Sequence, residues 1–139
     1  MKDKIKILLI DDNENDNYFH QRVIKKAGLT GEVAVAENGL DALKYLINQF
    51  KNIDSEPVIK VTLIFLDINM PKMGGFEFLD EYCNLDNSVK AGVVVIMLST
   101  SENPKDVELC KQYTDVKEYC TKPLTIEKLQ LIINKHFIT

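Results

Sequence analysis

Three nearly unbroken apolar runs, rich in β-branched residues, constrain the fold of this 139-residue chain more than any other feature. They are Ile5–Ile10, Val61–Leu66 and Val93–Leu98. Strands this apolar are buried on both faces, as in parallel sheets that helices cover from both sides. Two more polar candidates, Glu32–Ala36 and Val116–Cys120, indicate strands nearer a sheet edge. The pattern therefore predicts a five-stranded sheet.

Segments with helical periodicity separate these strands, and recognisable cap residues bound them. Gly28 stands where a left-handed C-terminal cap is expected. The starts of the second, fourth and fifth helices have suitable cap residues, which are in turn Asn38, Asn103 with Pro104, and Thr125. The apolar positions expected to be buried along the five helices are Phe19, Val23, Ala27, Leu43, Leu46, Ile47, Phe50, Phe76, Leu79, Cys83, Val107, Cys110, Ile126, Leu129 and Ile133. This alternation predicts an α/β fold, a three-layer α/β/α sandwich with a doubly wound parallel sheet in the flavodoxin-like order 2-1-3-4-5.

The composition limits the class of protein. A formal net charge of -4 and a hydrophobic fraction of 45% suit a single globular domain spanning residues 1–139. We expect no membrane span and, without a tract of clustered positive charge, no nucleic-acid binding. Cys83, Cys110 and Cys120 lack metal-ligand spacing, fit a reducing compartment and are interpreted as core residues. The expectation is a cytoplasmic protein with no attached output domain.

Polar side chains that follow the strands would meet at one edge of such a sheet. Asp11 and Asp12 follow the first strand, and Asp67 follows the third. These two strands are neighbours where the winding reverses, which is where ligands bind in such folds. Three converging carboxylates favour a bound cation, and oxygen ligands suit Mg²⁺. Ser99 and Lys122 would add a hydroxyl and a cation that can hold a transferring phosphoryl group.

Four motifs, in this order, resemble those of the receiver domain of response regulators in two-component signalling. They are Leu9–Asn13, Leu66–Gly75, Met97–Ser101 and Tyr119–Pro123. The resemblance implies a two-component response regulator of the single-domain type. Such a protein accepts a phosphoryl group from a sensor histidine kinase or a phosphotransfer protein. It also implies that the chain is not an enzyme for another substrate, although it dephosphorylates itself.

The resemblance implies a role for each motif residue in this chemistry. Asp67 would be the phosphoryl acceptor and Lys122 would contact the phosphoryl group. Mg²⁺ would be held by Asp11 and Asp12, by the acceptor carboxylate, and by the backbone carbonyl of Asn69. An intact set of these groups argues against a degenerate receiver.

The resemblance also implies a switch. Ser99 would be the switch hydroxyl and Tyr119 the aromatic switch residue, although a tyrosine here can also be a packed aromatic with no switching role. The face formed by the fourth helix, fifth strand and fifth helix would bind a downstream protein or a second copy of the chain. A cis peptide between Lys122 and Pro123 would aim the lysine into the acidic pocket.

Two other functions use similar residues. A phosphatase of the haloacid dehalogenase type also has an aspartate and Mg²⁺ at a strand end, but it needs a second aspartate where Asn69 stands. It usually also carries a cap domain, for which this chain has no room. The other alternative is a constitutive protein-binding scaffold with a vestigial pocket. Phosphorylation by a small phosphodonor would distinguish a response regulator from such a scaffold.

Other conspicuous residues receive plainer interpretations. His20 and His136 are interpreted as ordinary surface or boundary residues. Glu14 and Asp16 are interpreted as rim charges that the dipole of the first helix favours at its start. The segment Lys51–Lys60, with its proline and mixed charges, is interpreted as a surface loop.

Overall fold

Five parallel strands form one sheet in the order β2-β1-β3-β4-β5, as the sequence predicts. The computed structural model describes residues 5–28, 32–51 and 60–137. The elements are β1 (Lys6–Ile10), α1 (Glu14–Lys26), β2 (Val33–Ala36), α2 (Gly39–Lys51), β3 (Val61–Leu66), α3 (Gly75–Tyr82), α4 (Asn87–Lys90), β4 (Val94–Ser99), α5 (Pro104–Cys110), β5 (Val116–Thr121) and α6 (Ile126–Phe137). The α/β, flavodoxin-like sandwich is confirmed.

Each face of the sheet carries its own apolar core, and alternate residues of the central strands supply the two cores. On one face Leu8 of β1 is buried in the cluster that contains Phe78 of α3. On the other face Leu9 of β1 is buried in the cluster that contains Leu129 of α6. Burying one such side chain contributes about 1.5–3 kcal/mol, so the two cores fix the strands firmly. The strand ends are therefore rigid supports for the residues that follow them.

The register of the sheet places the ends of β1 and β3 side by side. Ile10 is paired with Leu66 of β3. One residue further on, the backbone N–H of Asp67 donates to the carbonyl of Ile10 at 3.0 Å. The N–H of Asp11 donates likewise to the carbonyl of Ala36, at 3.0 Å. The two aspartates consequently leave the sheet next to each other.

The predicted caps are confirmed. Gly28 has a φ of +80°, a left-handed conformation that a residue with a Cβ rarely adopts. The side-chain oxygens of Asn38, Asn103 and Thr125 each accept a backbone N–H from the first turn that follows, at 2.9, 3.0 and 3.1 Å. Local polar residues therefore fix where three helices begin, and a glycine fixes where α1 ends.

Within the described residues the structure has one helix more than the five predicted. The additional helix, α4, has four residues, too few to show a period in the sequence, and the side chain of Asp86 caps it by accepting from the N–H of Ser88. The predicted fourth and fifth helices are therefore α5 and α6. In the part of the chain that the structure describes, no helix combines the length and the apolarity needed to cross a membrane.

The predicted buried face of α1 is wrong in part. Phe19 is 47% exposed, whereas His20 is only 2% exposed, and the buried positions are Asn17, His20, Val23 and Ile24. The face is shifted because two polar residues contribute to it, and a search for apolar periodicity does not find them. The interpretation of His20 as a surface or boundary residue is therefore also wrong.

The cysteines differ from one another in burial. Cys110 is buried and Cys120 is half-buried, but Cys83 is exposed, so its assignment to the core is wrong. The buried face of α3 instead presents Phe78, Leu79 and Tyr82 to the sheet. The side chain of Phe50 and most of the predicted loop at 51–60 lie outside the described residues.

Candidate functional site

The predicted polar residues meet at the carboxyl edge of the sheet. Asp11 follows β1, Asp67 follows β3, Ser99 ends β4, and Lys122 follows β5. One oxygen from each of Asp11, Asp12 and Asp67 lies within 4.8 Å of the others. Among the described residues, these three aspartates are the one group of potential metal-ligating acids, histidines and cysteines that lie so close. We refer to them as the acidic cluster.

The ammonium group of Lys122 lies among three carboxylates. Its Nζ is 2.7 Å from Oδ2 of Asp11, 2.8 Å from Oδ2 of Asp16 and 3.7 Å from Oδ2 of Asp67. The peptide bond between Lys122 and Pro123 is cis, which confirms that prediction. By these distances the ammonium lies at the acidic cluster, and Asp11 and Asp16 are closer to it than Asp67, the expected phosphoryl acceptor.

Backbone contacts fix the carboxylate of Asp67. The N–H of Ile68 donates to its Oδ1 at 2.9 Å. The carbonyl of Ile68 in turn accepts from the N–H of Gly75 at 2.8 Å, which brings the start of α3 against the strand end. A Cβ at Gly75 would collide with the carbonyl oxygen of Asp67. The glycine therefore permits a close approach that holds the acceptor in place.

Two buried polar residues of α1, Asn17 and His20, bind the loops that carry the site residues. The Asn17 side-chain N–H donates to the carbonyl of Asp11 at 2.9 Å. Nε2 of His20 accepts from the backbone N–H of Leu124 at 3.3 Å, two residues after Lys122. Burial, and next the nearby lysine charge, lower the pKa of His20, which agrees with a neutral ring that accepts a hydrogen bond. The helix thus holds the loops after β1 and after β5 together.

The carboxylates of the acidic cluster repel one another, and Lys122 partly offsets their charge. Burial, and then the charge of Asp11, raise the pKa of Asp67 to about 6, although Lys122 acts in the other direction. Burial alone would lower the pKa of Lys122, but its hydrogen bonds to Asp11 and Asp16 outweigh this and raise the pKa to about 12. The lysine stays charged, yet its charge does not fully offset the crowded carboxylates.

The acidic cluster has the donor chemistry for a hard divalent cation. Mg²⁺ and Mn²⁺ prefer carboxylate, carbonyl and water oxygens, and the cluster supplies three carboxylates within reach of one ion. Asp12 and Asn69 are exposed, so water can complete a coordination shell from the solvent side. Asn69 lies two residues after Asp67, and ligation by its carbonyl stays a prediction.

The expected switch residues are linked through Ser101. Oγ of Ser99, a buried side chain, accepts from the N–H of Ser101 at 3.1 Å. The hydroxyl of half-buried Tyr119 donates to the carbonyl of Ser101 at 2.6 Å. The Ser101 hydroxyl donates to Oδ2 of Asp106 in α5 at 2.6 Å. Ser99, β5 and α5 therefore meet at the β4–α5 loop, and motion of Tyr119 on phosphorylation stays a prediction.

Comparison with known proteins agrees with this geometry. The family model for the response regulator receiver domain matches residues 7–134. The chain belongs to this family. Over 132 residues, which are 94% of this chain and 83% of the relative, the receiver domain is 33% identical to the two-component response regulator ARR17 of Arabidopsis thaliana.

Two solved structures have the same fold. The phosphorylated cyanobacterial phytochrome response regulator RcpA is 30% identical, with a TM-score of 0.72, over 94% of this chain and 89% of that one. The Mn²⁺-bound form of response regulator Rcp1 is 28% identical, also with a TM-score of 0.72, over 96% of this chain and 94% of that one. The likeness extends over nearly the whole receiver domain.

Three contacts of the site, all made by α1, are not predicted from the sequence. Asp16 pairs with Lys122, although the sequence indicates only a rim charge. His20 anchors the loop that carries the lysine, and Asn17 donates to the carbonyl of Asp11. The spacing of residues 17, 20 and 24 is that of one helix face once polar residues are admitted to it. The pair between Asp16 and Lys122 joins residues 106 positions apart and leaves no local signal.

Proposed function

We propose that this receiver domain accepts a phosphoryl group on Asp67 from the phosphohistidine of a sensor histidine kinase or a phosphotransfer protein. A carboxylate oxygen of Asp67 forms the new bond to phosphorus, and the bond from phosphorus to the histidine nitrogen breaks. The imidazole that leaves takes up a proton. The product is an acyl phosphate, and its hydrolysis by water returns the carboxylate. The domain would thus be a switch that dephosphorylates itself and not an enzyme for a separate substrate.

The protein's own groups have distinct parts in this transfer. Asp11, Asp12, Asp67 and the carbonyl of Asn69 would hold Mg²⁺, whose charge offsets that of the carboxylates and of the incoming phosphoryl oxygens. Lys122 would donate hydrogen bonds to the phosphoryl oxygens. Rcp1, a relative with the same fold, has been solved in a Mn²⁺-bound form, and this supports the binding of a divalent ion.

The signal would leave the site through Ser99. A phosphoryl oxygen on Asp67 is a strong acceptor, and the Ser99 hydroxyl would turn towards it. The N–H of Ser101, which now donates to Ser99, would follow and draw in the β4–α5 loop, with Tyr119 filling the space beside α5. The face formed by α5, β5 and α6 would then bind a downstream protein or a second copy of the chain, and not nucleic acid. This is a population shift between two arrangements.

One observation carries the proposal: Asp67 and Asp11 leave neighbouring strands beside a lysine that follows β5. The alternative phosphatase activity lacks support, since Asn69 occupies the position of its general acid. A scaffold with a vestigial pocket would lack the ability to be phosphorylated.

The test is the intact mass of the protein after incubation with acetyl phosphate, with Mg²⁺ or with a chelator. We expect one added phosphoryl group in wild type with Mg²⁺, and none in Asp67→Asn or in chelator. Asp115→Asn is the matched control, because Asp115 precedes β5 at the opposite edge of the sheet, and it should be phosphorylated like wild type. A phosphoryl gain in Asp67→Asn, or an undiminished gain in chelator, would contradict the assignment.

A further inference from the structure

Asp16 stands outside the acidic cluster, yet it is a close partner of Lys122. Its Oδ2 is 2.8 Å from the lysine Nζ, whereas Oδ2 of Asp67 is 3.7 Å away. We propose that Asp16 is a positioning residue that competes with the phosphoryl group on Asp67 for Lys122 and thereby favours the unphosphorylated form. This inference rests on the proposed function and adds a residue to the phosphoryl site.

The hydrogen-bonding capacity of the lysine limits how many carboxylate and phosphoryl oxygens it can serve at once. An ammonium group has three N–H donors. Contacts at 2.7 and 2.8 Å place two of them on Asp11 and Asp16. One donor remains for the oxygens of a phosphoryl group on Asp67. Any further or stronger bond to those oxygens, at about 2.7–2.9 Å, draws the ammonium away from Asp11 or Asp16.

The contact with Asp16 is the one free to lengthen. The Asp16 side chain is 36% exposed, whereas that of Asp11 is 6% exposed, so water can replace the lysine at Asp16 alone. Asp11 also accepts from the N–H of Asn13 at 3.0 Å and belongs to the acidic cluster. Even with an ion in the acidic cluster, moving the lysine away from Asp11 would remove a positive charge from a buried carboxylate that water does not readily reach, which is unfavourable.

The backbones on both sides of this ion pair are held in place. The N–H of Asp16 donates to the Asn13 side chain at 3.0 Å, which fixes the first turn of α1. The N–H of Lys122 donates to the carbonyl of Ser99 at 2.9 Å, which fixes the start of the loop after β5. The change must therefore occur in the two side chains: the lysine either pairs with Asp16 or turns towards the phosphoryl oxygens.

The experiment compares Asp16→Asn with Glu14→Gln. Both substitutions remove one negative charge from the first turn of α1, so the long-range electrostatic change is similar. Glu14 is exposed, and the ion pairs of Lys122 among the described residues are those with Asp11, Asp16 and Asp67. Only Asp16→Asn should therefore release the lysine.

The probe is beryllofluoride, a phosphoryl mimic, titrated in saturating Mg²⁺, and Mg²⁺ affinity is measured separately. We expect Asp16→Asn to bind beryllofluoride about fivefold more tightly than Glu14→Gln, with Mg²⁺ affinities of the two variants within about twofold. If Asp16 had only a structural role, its replacement would not tighten beryllofluoride binding while leaving Mg²⁺ affinity unchanged. Asp16→Ser, which also lacks the carboxylate, is measured alongside so that the result does not depend on the folding of one variant.

Suppose that wild type binds beryllofluoride but both Asp16 variants bind it no more tightly than Glu14→Gln does. That result would overturn the inference. Failure of wild type itself to bind beryllofluoride, together with no gain of mass on Asp67, would instead overturn the proposed function. The two failures are therefore distinguishable.

Discussion

The two halves of the carboxyl edge satisfy their polar groups in different ways. At the ends of β1 and β3, three carboxylates crowd within 4.8 Å, and the pKa of Asp67 is raised to about 6. At the ends of β4 and β5, the hydroxyl groups of Ser99 and Tyr119 each have a hydrogen-bond partner on Ser101. The first half is electrostatically strained and stands to be stabilised by a cation. The second is already satisfied and should change only when a stronger partner reaches Ser99.

Replacing Asp67 by asparagine should reduce the difference between the two halves most strongly, because it removes one of the crowded carboxylates from the strained half. Burial and the charge of Asp11 raise the Asp67 pKa to about 6 from an ordinary 3.8, so the native state disfavours its carboxylate. The corresponding stability is complete below about pH 4 and is lost as pH rises through about 6. Without metal, Asp67→Asn should be more stable than wild type by about 2 kcal/mol above about pH 7 and by little near pH 4.

Urea denaturation in EDTA between about pH 4 and 8 measures this difference. Saturating Mg²⁺ should reduce it, because an ion at 100 times its dissociation constant adds about 2.7 kcal/mol to wild type and less to a variant that lacks a ligand. Asp115→Asn, at the opposite edge, should show no gain in stability. A stability difference for Asp67→Asn that is independent of pH would contradict the electrostatic strain.

Replacing Asp12 by asparagine should weaken the strained half as a metal site without removing the phosphoryl acceptor. One carboxylate of the cluster is lost, so Mg²⁺ affinity should fall by about tenfold or more. Calorimetric titration with Mg²⁺ measures the change, with Glu14→Gln as a control for the loss of one nearby charge. Unchanged Mg²⁺ affinity in Asp12→Asn would remove Asp12 from the ligand set.

Replacing Tyr119 by phenylalanine should affect only the satisfied half. The substitution removes the 2.6 Å hydrogen bond to the Ser101 carbonyl, and the expected loss in unfolding free energy is about 1 kcal/mol. Mg²⁺ affinity should not change. Tyr18→Phe on the exposed side of α1 is the control and should alter stability by less than about 0.5 kcal/mol. A loss of Mg²⁺ affinity in Tyr119→Phe would show that the two halves are not separate.

The sequence predicts the strained half better than the satisfied half, for a physical reason. Asp11 and Asp67 follow buried apolar strands, and parallel strands that pair side by side bring their ends together. The position of the acidic cluster therefore follows from the strand order alone. The role of Ser101 depends on the path of one loop, which joins β4 to α5, and periodicity carries no information about that path.

Contacts made by α1 were the main omission of the sequence analysis. Apolar periodicity predicts Phe19 on its buried face, but His20 is buried instead and accepts a hydrogen bond from the N–H of Leu124. The sequence indicates Asp16 only as one of two rim charges, and it is the fold that brings Lys122 beside it. Hydrogen bonds and ion pairs between residues that are distant in sequence cannot be predicted from sequence patterns, because only the folded chain brings their partners together.

The central claim is that a phosphoryl group in the strained half is sensed by the satisfied half through the Ser99 hydroxyl. The measurement is amide NMR of wild type and Ser99→Ala, each with and without beryllofluoride and Mg²⁺. In wild type we predict shifts both next to Asp67 and across residues 104–137, whereas Ser99→Ala should keep the first and lose most of the second. A full response at 104–137 in Ser99→Ala, or a wild-type response confined to the surroundings of Asp67, would contradict the account.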